Sequence, residues 1–450
     1  MRYFSGILFI LIAALPYVSI MWQSKGTGSQ PELIQTKETL SIISPHRREA
    51  RIEYSRGFRE WMLKKYGRNV HIRWLDAGGT SKILKDLESR YATSPDSPGV
   101  DILFGGGIAP YYTAIGKGWL EKTDLPGEAL DTIPPQCAGA AVYDPQHRWF
   151  GVALSGFGIL YNKPLINRMN LPTPETWEDL AMPEFLSRVS SGDPRASGTV
   201  HMIYEIILQA YGFEKGWSLL TRILANVRNF GEGGAFAPRE VATGDVAAAM
   251  VIDQYAQIVI ESVGKDALAF ILPKGVTIVG ADAIARLKGA SSPELAKLFI
   301  EYALSQDGQR ILYQKTGKNG QLRSQNRLPV RKELYETPDA PATRPYDFQG
   351  GFVYDDVMGT RRWKLVNDLI GVWLIDSHDE LVKAWRETIH SGMKPEMVSK
   401  LCEMPFPVNS IDKIADRMND QRQARDQIKQ WANEAKARYE EIIRSSENNN

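Results

Sequence analysis

Short apolar segments alternate with amphipathic helical segments over most of this chain, and the breaks between them are rich in glycine, serine and threonine. A first apolar segment around Leu40–Ile43 precedes a helical pattern over about 48–65, and a second around Val70 precedes a helix that opens at Thr80. A chain that alternates strand and helix in this way forms parallel sheets covered by helices on both faces. The predicted fold class is therefore α/β.

A second series of the same kind follows the apolar segment 150–161. Here the patterns predict helices that begin at Thr173 and at about residue 198, and strands over 247–252 and 269–272. Each half is long enough to bury a core of its own within a chain of 450 residues. We therefore expect two α/β halves.

The last hundred residues have a helical pattern, preceded by a proline- and glycine-rich loop over 338–351. Apolar residues share one helix face between Trp363 and Trp373, and a second apolar stripe runs from Ile411 to Tyr439 between charged residues. Heptad spacing is not sustained, so these helices are expected to pack on the body of the protein rather than form a coiled coil.

The amino terminus carries Arg2 and then about twenty mostly apolar residues, interrupted by Pro16. This pattern predicts either a cleaved signal peptide or a single membrane anchor formed by residues 4–22. No convincing small-x-small cleavage site follows Pro16, and no cysteine directly follows the apolar segment to carry a lipid. In both cases the remaining chain is expected to be exported, to the periplasm or the extracellular face.

Composition excludes several classes of protein. The 54 Lys and Arg residues nearly balance the 53 Asp and Glu residues, so there is no basic field of the kind that nucleic-acid-binding proteins carry. Cys137 and Cys402 are the only cysteines, which excludes a disulfide scaffold and a cysteine-rich metal site. They form either one disulfide or two buried free thiols, and cysteine usage favours the thiols.

Four turns at the ends of predicted strands or the starts of predicted helices share one chemistry. They are Ser44-Pro45-His46, Gly78-Gly79-Thr80-Ser81, Gly105-Gly106-Gly107 and Arg195-Ala196-Ser197-Gly198-Thr199. The first amides of a helix lack intrahelical acceptors and its dipole favours an anion, while glycine allows close approach of the backbone. An arginine beside such amides suits carboxylate or phosphate oxygens. Arg195 also has a purely structural interpretation, an ion pair with Asp193.

The order of several motifs resembles one family. The segments AGGTSKIL, DILFGGG, ALSGFGILYN, TWEDL, DPRASGT, GDVAAAMVIDQYA and SQDGQRIL follow one another as in the extracellular solute-binding proteins of ABC importers. The nearest branch includes binders of ferric iron, phosphonates, sugar phosphates and polyamines. The resemblance covers about residues 39–335 and implies the type II periplasmic-binding fold, in which two lobes close on a ligand.

The resemblance also implies domain boundaries. Residues 1–25 would be the signal peptide or anchor and 26–38 a linker. Lobe 1 would comprise 39–150 and 270–335, lobe 2 would comprise 151–269, and a helical extension over 336–445 would pack on the lobes.

In this family the ligand lies in the cleft between the lobes, which the turns described above would line. The implied ligand-binding residues are Ser44, His46, Gly79, Thr80, Ser81, Gly106, Gly107, Ser155, Arg195, Ser197, Gly198, Thr199, Asp253 and Tyr255. The expected ligand is a small anion, organic or phosphorus-containing, taken up without a cofactor and passed to ABC permease and ATPase subunits.

Ferric iron is the main alternative ligand. Ferric-binding relatives typically use two adjacent tyrosines, a histidine and a carboxylate, whereas the corresponding segment here contains Tyr255 alone. A mixed metal site would use His46, Asp253 and Tyr255 together with an anion. A cationic or neutral solute is a third alternative.

Enzyme activity and ligand sensing are the two alternatives to transport. No Gly-x-Ser-x-Gly, His-Glu-x-x-His or phosphate-loop lysine motif is present, and Cys137 is the only candidate nucleophile, so we expect no enzyme activity. The same binding module could instead report a ligand to a membrane receptor, although the chain contains no recognisable cytoplasmic output domain.

Overall fold

The computed structural model describes residues 38–341, 343–348 and 352–447. The predicted signal peptide or anchor (1–25) and nearly all of the predicted linker (26–38) lie outside the described residues. Within the described part, no helix has both the length and the apolar character needed to cross a membrane.

Twelve strands are present in the described part, and most of them are short. They are β1 (Glu38–Ile43), β2 (Val70–Leu75), β3 (Ile102–Phe104), β4 (Gln136–Cys137), β5 (Ala140–Ala141), β6 (Phe150–Asn162), β7 (Val189–Gly192), β8 (Val227–Gly231), β9 (Ala248–Ile252), β10 (Leu268–Ile271), β11 (Val279–Arg286) and β12 (Leu328–Pro329).

Ten of these strands form one mixed sheet in the order β2-β1-β3-β11-β6-β9-β7-β8, with β10 and β12 also paired to β6. The centre of the sheet is the antiparallel pair of β6 and β11. Strands on either side are parallel: β1 pairs with β3, and β7 pairs with both β8 and β9. The sheet thus has a parallel part at each end, joined by antiparallel strands.

The long strand β6 connects two hydrophobic cores. Its first part, including Phe150 and Leu154, packs in a core with Leu40, Phe104 and Phe299. Its later residues, including Ile159, pack in a second core. The alternation predicted from the sequence therefore corresponds to two separate cores with a shared central strand.

The helices cover both ends of this sheet. They are α1 (Arg48–Tyr66), α2 (Thr80–Thr93), α3 (Ala109–Gly116), α4 (Lys163–Arg168), α5 (Gly198–Ala210), α6 (Phe213–Ala225), α7 (Phe236–Thr243), α8 (Asp253–Val263), α9 (Pro293–Leu304), α10 (Gln306–Arg310), α11 (Asp356–Arg361), α12 (Trp363–Ile370), α13 (His378–His390), α14 (Pro395–Cys402), α15 (Ile411–Met418) and α16 (Gln421–Glu447). A π-helical turn, Gly371–Asp376, lies between α12 and α13.

The carboxyl-terminal helices share the second core. Trp373, Trp385 and Tyr439 are fully buried in the same cluster as Trp217 and Leu220. Burying a large aromatic side chain contributes about 3 kcal/mol relative to leaving it exposed. The extension is therefore part of the folded body.

Two local predictions differ from the structure. The helix predicted from Thr173 is only a 3-10 turn, Glu178–Ala181. The carboxylate of Asp179 accepts hydrogen bonds from the Glu175 and Thr176 amides at 2.8 and 2.7 Å, and Pro183 then favours extended backbone at Met182. Strand β11 was not predicted, because half of its residues are glycine or alanine, which carry little strand propensity.

Cys137 and Cys402 are both free and buried, and they belong to different cores. The interpretation as two buried thiols is therefore confirmed.

Candidate functional site

A cavity of about 560 Å³ lies where strands end and helices begin. Its wall combines residues from both cores and from the extension. Of the residues predicted from the sequence, ten line it: His46, Gly79, Thr80, Gly106, Gly107, Ser155, Ser197, Gly198, Thr199 and Tyr255.

The two amide-rich turns predicted to face each other do so. A Cβ atom built on Gly198 would lie 3.5 Å from Oγ1 of Thr80, and one built on Gly79 would lie 3.8 Å from the carbonyl oxygen of Ala196. The turn that starts α2 is therefore in near contact with the turn that starts α5. Both turns line the same cavity.

Five helices that precede the carboxyl-terminal extension begin at this cavity, because residues at the first turns of α1, α2, α3, α5 and α8 all line it. The first amides of each helix have no intrahelical acceptor, and the positive ends of the dipoles add up. At α5 the Ser197 hydroxyl accepts a hydrogen bond from the Val200 amide at 3.4 Å. At α2 the N-cap residue is Gly79, which has no side chain to occupy the amides. The cavity is thus suited to negatively charged oxygen atoms.

A buried charged network forms one wall. Arg327 Nη1 lies 2.9 Å from His46 Nε2, and Arg327 Nη2 donates to the Asp282 carboxylate. The same His46 nitrogen lies 2.9 Å from Asp282 Oδ2, and the Gly107 amide donates to Asp282 Oδ1 at 3.0 Å. Nε2 can serve only one of these two neighbours at a time.

Electrostatics fix the protonation states in this network. Burial alone would raise the pKa of Asp282, but the charges of Arg327 and His46, together with their hydrogen bonds, hold this pKa well below its usual range. Burial lowers the pKa of His46, although Asp282 opposes the effect. Asp282 is therefore ionised and neutralised by Arg327.

One N–H group of the Arg327 guanidinium is not used in this network. Among the residues that the structure describes, its buried Nε has no hydrogen-bond partner. Because Arg327 also lines the cavity, its guanidinium can bind an anion there while it pairs with Asp282.

Sequence reasoning missed Asp282 and Arg327. Asp282 lies at an irregularity in the pairing of β11 with β6, between Asp282 and Ala283, and such bulges redirect side chains. A lone acidic residue among small apolar ones in VGADAIAR was a usable signal. Arg327 follows a polar loop, SQNR, in which no local pattern distinguishes it.

Ser44 and Asp253 do not line the cavity, but each forms hydrogen bonds with residues in or next to its wall. The fully buried hydroxyl of Ser44 hydrogen-bonds His46 Nδ1 at 2.9 Å, which orients the ring. The Asp253 carboxylate accepts hydrogen bonds from the amides of Gly156 (2.8 Å) and Gln254 (2.6 Å). Burial nevertheless raises its pKa to about 7, against the effect of these hydrogen bonds.

Arg195 and Ser81 are not among the residues that line the cavity. The Arg195 guanidinium is held by Asp193 and by Asp376 of the extension, each with a contact of 2.7 Å. The structural interpretation, an ion pair with Asp193, therefore describes this arginine. Ser81 lies exposed at the second position of α2.

Only two of the three residues proposed for a ferric site line the cavity. His46 and Tyr255 line the cavity, whereas the Asp253 carboxylate is taken up by two backbone amides. No group of three or more His, Cys, Asp or Glu residues with a geometry fit for a metal ion occurs in the described part of the chain.

Cys137, the candidate nucleophile, is buried away from the cavity lining. Its Sγ lies 3.5 Å from the carbonyl oxygen of Pro345, and burial raises the pKa of the thiol to about 12. A thiol in this environment is not a reactive nucleophile.

Comparison with known proteins defines the class. A family model described as bacterial extracellular solute-binding protein matches residues 97–329, just over half of the chain. The chain belongs to this family, and its fold is the two-lobed type II periplasmic-binding fold with a carboxyl-terminal helical extension.

Among curated proteins, the chain is 33% identical over 268 residues to the phosphoglycerate transport regulatory protein PgtC of Salmonella typhimurium. This match covers 58% of the chain but only 64% of the relative, which is less than two thirds of its length.

Solved structures of the same fold include two that were determined with different ligands. The periplasmic binding protein AfuA from Actinobacillus pleuropneumoniae, with fructose-6-phosphate bound, has a TM-score of 0.58 at 20% identity, covering 79% of this chain and 99% of AfuA. Iron-bound HitA from Pseudomonas aeruginosa has a TM-score of 0.54 at 21% identity, covering 72% of this chain and 99% of HitA. Likenesses at this level of identity concern the fold alone.

Proposed function

We propose that this protein captures a small organic phosphate in the cavity and delivers it for import through an ABC permease and its ATPase. The observation that carries the proposal is the convergence of the amino termini of α1, α2, α3, α5 and α8, from both halves of the sheet, on one cavity. Backbone amides at helix starts, aided by hydroxyls, are a recurrent means of binding phosphoryl oxygens.

The buried cation of the wall, Arg327, supports an anion as the ligand. Arg327 lines the cavity and already neutralises the carboxylate of Asp282, while the exposed lining residues Glu49 and Glu261 pair with Arg47 and Lys315. The names of two similar proteins agree with a phosphorylated ligand, since one is called a phosphoglycerate transport regulatory protein and the other was solved with fructose-6-phosphate bound.

Calorimetric titration tests the ligand class. The matched ligands are 3-phosphoglycerate, glycerate (the same acid without the phosphoryl group), inorganic phosphate and ferric citrate. We expect 3-phosphoglycerate to bind one to one, and glycerate to bind at least about 100-fold more weakly, because two or more charge-assisted hydrogen bonds are lost at about 1.5–3 kcal/mol each. Binding of ferric ion with no binding of either phosphate compound would contradict the proposal.

A regulatory role is the second candidate, and the name of the relative, a transport regulatory protein, specifically favours it. The two roles separate in a strain that lacks this protein and expresses the transport genes from a constitutive promoter. If the protein delivers solute, uptake stays lost. If it only signals that the solute is present, uptake returns.

Export is part of the same proposal. Residues 4–22, outside the described part, would either be removed as a signal peptide or hold the mature protein on the membrane. Mass measurement of the mature protein distinguishes the two, since cleavage removes about twenty-five residues.

A further inference from the structure

The carboxyl-terminal extension reaches the cavity. Asp356 from α11 and Trp363 from α12 both line it. Both residues lie beyond the segment 97–329 that matches the family model. These side chains are therefore additions to the part of the cavity that the family-matched segment provides.

The segment that carries Asp356 is fixed to α5 and lies near α3. The hydroxyl of Tyr112, on α3, lies close enough to the Asp356 carboxyl to affect its pKa. The preceding residue, Asp355, is fixed to α5, because its amide donates to Gln209 Oε1 at 2.8 Å and its carbonyl accepts from Gln209 Nε2 at 3.0 Å. The Asp355 side chain also caps α11 by accepting from the Met358 amide at 2.8 Å. The backbone that leads into Asp356 is thus fixed to α5.

Trp363 places a flat apolar surface beside the turn that starts α5. Its ring stacks on the fully buried His201, with centroids 3.6 Å apart and an angle of 29° between the planes. A Cβ atom built on Gly198 would lie 3.7 Å from Cη2 of the indole. The indole edge is therefore next to the amides at the start of α5.

We propose that Asp356 and Trp363 contact the bound solute and set its specificity, with the carboxyl group binding a hydroxyl group of the ligand and the indole packing against its carbon skeleton. This assignment rests on the proposed function, since it concerns the organic part of a phosphorylated ligand. The ligand class is then a hydroxylated organic phosphate.

The electrostatics of Asp356 fit this role. Burial and the neighbouring charge of Asp355 raise the pKa of Asp356 to about 7, although the nearby Tyr112 hydroxyl opposes the shift. Near neutral pH the carboxyl group is protonated for part of the time. A protonated carboxyl can donate a hydrogen bond to a hydroxyl and does not repel an anionic ligand as a carboxylate would.

The test compares three ligands by calorimetry: 3-phosphoglycerate, its hydroxyl-free analogue 3-(phosphonooxy)propanoate, and inorganic phosphate. In Asp356→Ala the preference for the hydroxylated ligand over its analogue should fall by about tenfold. Affinity for inorganic phosphate should stay within about twofold. Trp363→Leu should weaken both organic ligands by about tenfold and leave inorganic phosphate unchanged.

Asp416→Ala is the matched control, because this acidic residue of the extension pairs with exposed Arg361 and does not line the cavity. It should leave all three affinities unchanged. Suppose that wild-type protein binds the organic phosphates and that Asp356→Ala and Trp363→Leu fold and are as selective as wild type. That result overturns this assignment alone. Wild-type protein that binds none of the three ligands overturns the proposed function, and the assignment with it.

Discussion

Arg327 and Arg195 are both arginines in ion pairs, but only Arg327 lies at the cavity. Arg195 was the more conspicuous in the sequence, since it precedes a helix start with two hydroxyl residues. The structure pairs it with Asp193 and Asp376. A sequence motif specifies that an arginine is near a turn, whereas the direction of its side chain depends on residues that are distant in the chain.

The two arginines give a matched pair of variants. Arg327→Gln should lower affinity for 3-phosphoglycerate about tenfold or more, because a charge-assisted contact is lost. Arg195→Gln should leave affinity within about twofold. Calorimetric titration of both variants measures the difference, and thermal unfolding checks that each is folded. Equal affinity in wild type and Arg327→Gln would remove Arg327 from the site.

The raised pKa of Asp253 predicts that the free energy of unfolding depends on pH. Its pKa is raised by burial to about 7 in the folded protein, against an ordinary value of about 4. Between these values the folded state keeps a proton that the unfolded state has released, so this group's contribution to stability falls as pH rises. Asn at position 253 does not titrate.

The unfolding free energy of wild type minus that of Asp253→Asn should therefore fall between about pH 4 and pH 7 and level off above. Urea unfolding at several pH values across this window measures it. A difference that does not change with pH would mean that the Asp253 carboxylate is ionised throughout.

At the scale of elements, two helix starts at the cavity were predictable, whereas the helix start at Thr173 and the shape of β11 were not. The helix starts at Thr80 and at Gly198 carry local signals, namely glycine with hydroxyl residues before an amphipathic pattern. The bulge that directs Asp282 into the cavity results from the pairing of two strands more than a hundred residues apart, which no local pattern encodes.

The glycine turn after β3 offers a second matched pair. Gly106 and Gly107 both have positive φ, at 93° and 75°. A Cβ atom on Gly106 would lie 2.8 Å from Thr80 Oγ1, whereas one on Gly107 would meet nothing within 4 Å. Alanine at either position should cost about 1 kcal/mol of backbone strain in the unfolding free energy.

Gly106→Ala should also reduce affinity for 3-phosphoglycerate by about tenfold, and more than Gly107→Ala does, because its new methyl group displaces Thr80 from the opposing turns. Titration and urea unfolding of the two variants separate these effects. Equal losses of affinity in both variants would show that strain, rather than the collision with Thr80, is responsible.

At the scale of the whole molecule, the α/β class and the presence of helices at the carboxyl terminus followed from periodicity, and the two-lobed fold followed from the motif order. The contribution of the extension to the cavity could not be predicted from either. Asp356 and Trp363 reach the cavity only because α12 and the later helices share the second core and α11 packs toward α3. That placement depends on long-range packing, to which the local sequence around residue 356 gives no clue.

The central claim is that amide-rich turns from two halves of the molecule hold one phosphorylated solute between them. Native mass spectrometry tests it most directly, on protein freshly purified from the exported fraction of the cells that produce it. The measurement gives the mass of the bound molecule without any assumption about its identity. We predict one bound species per chain that releases a phosphate fragment on collisional activation. A bound species without phosphorus, or a ferric ion in its place, would contradict the claim.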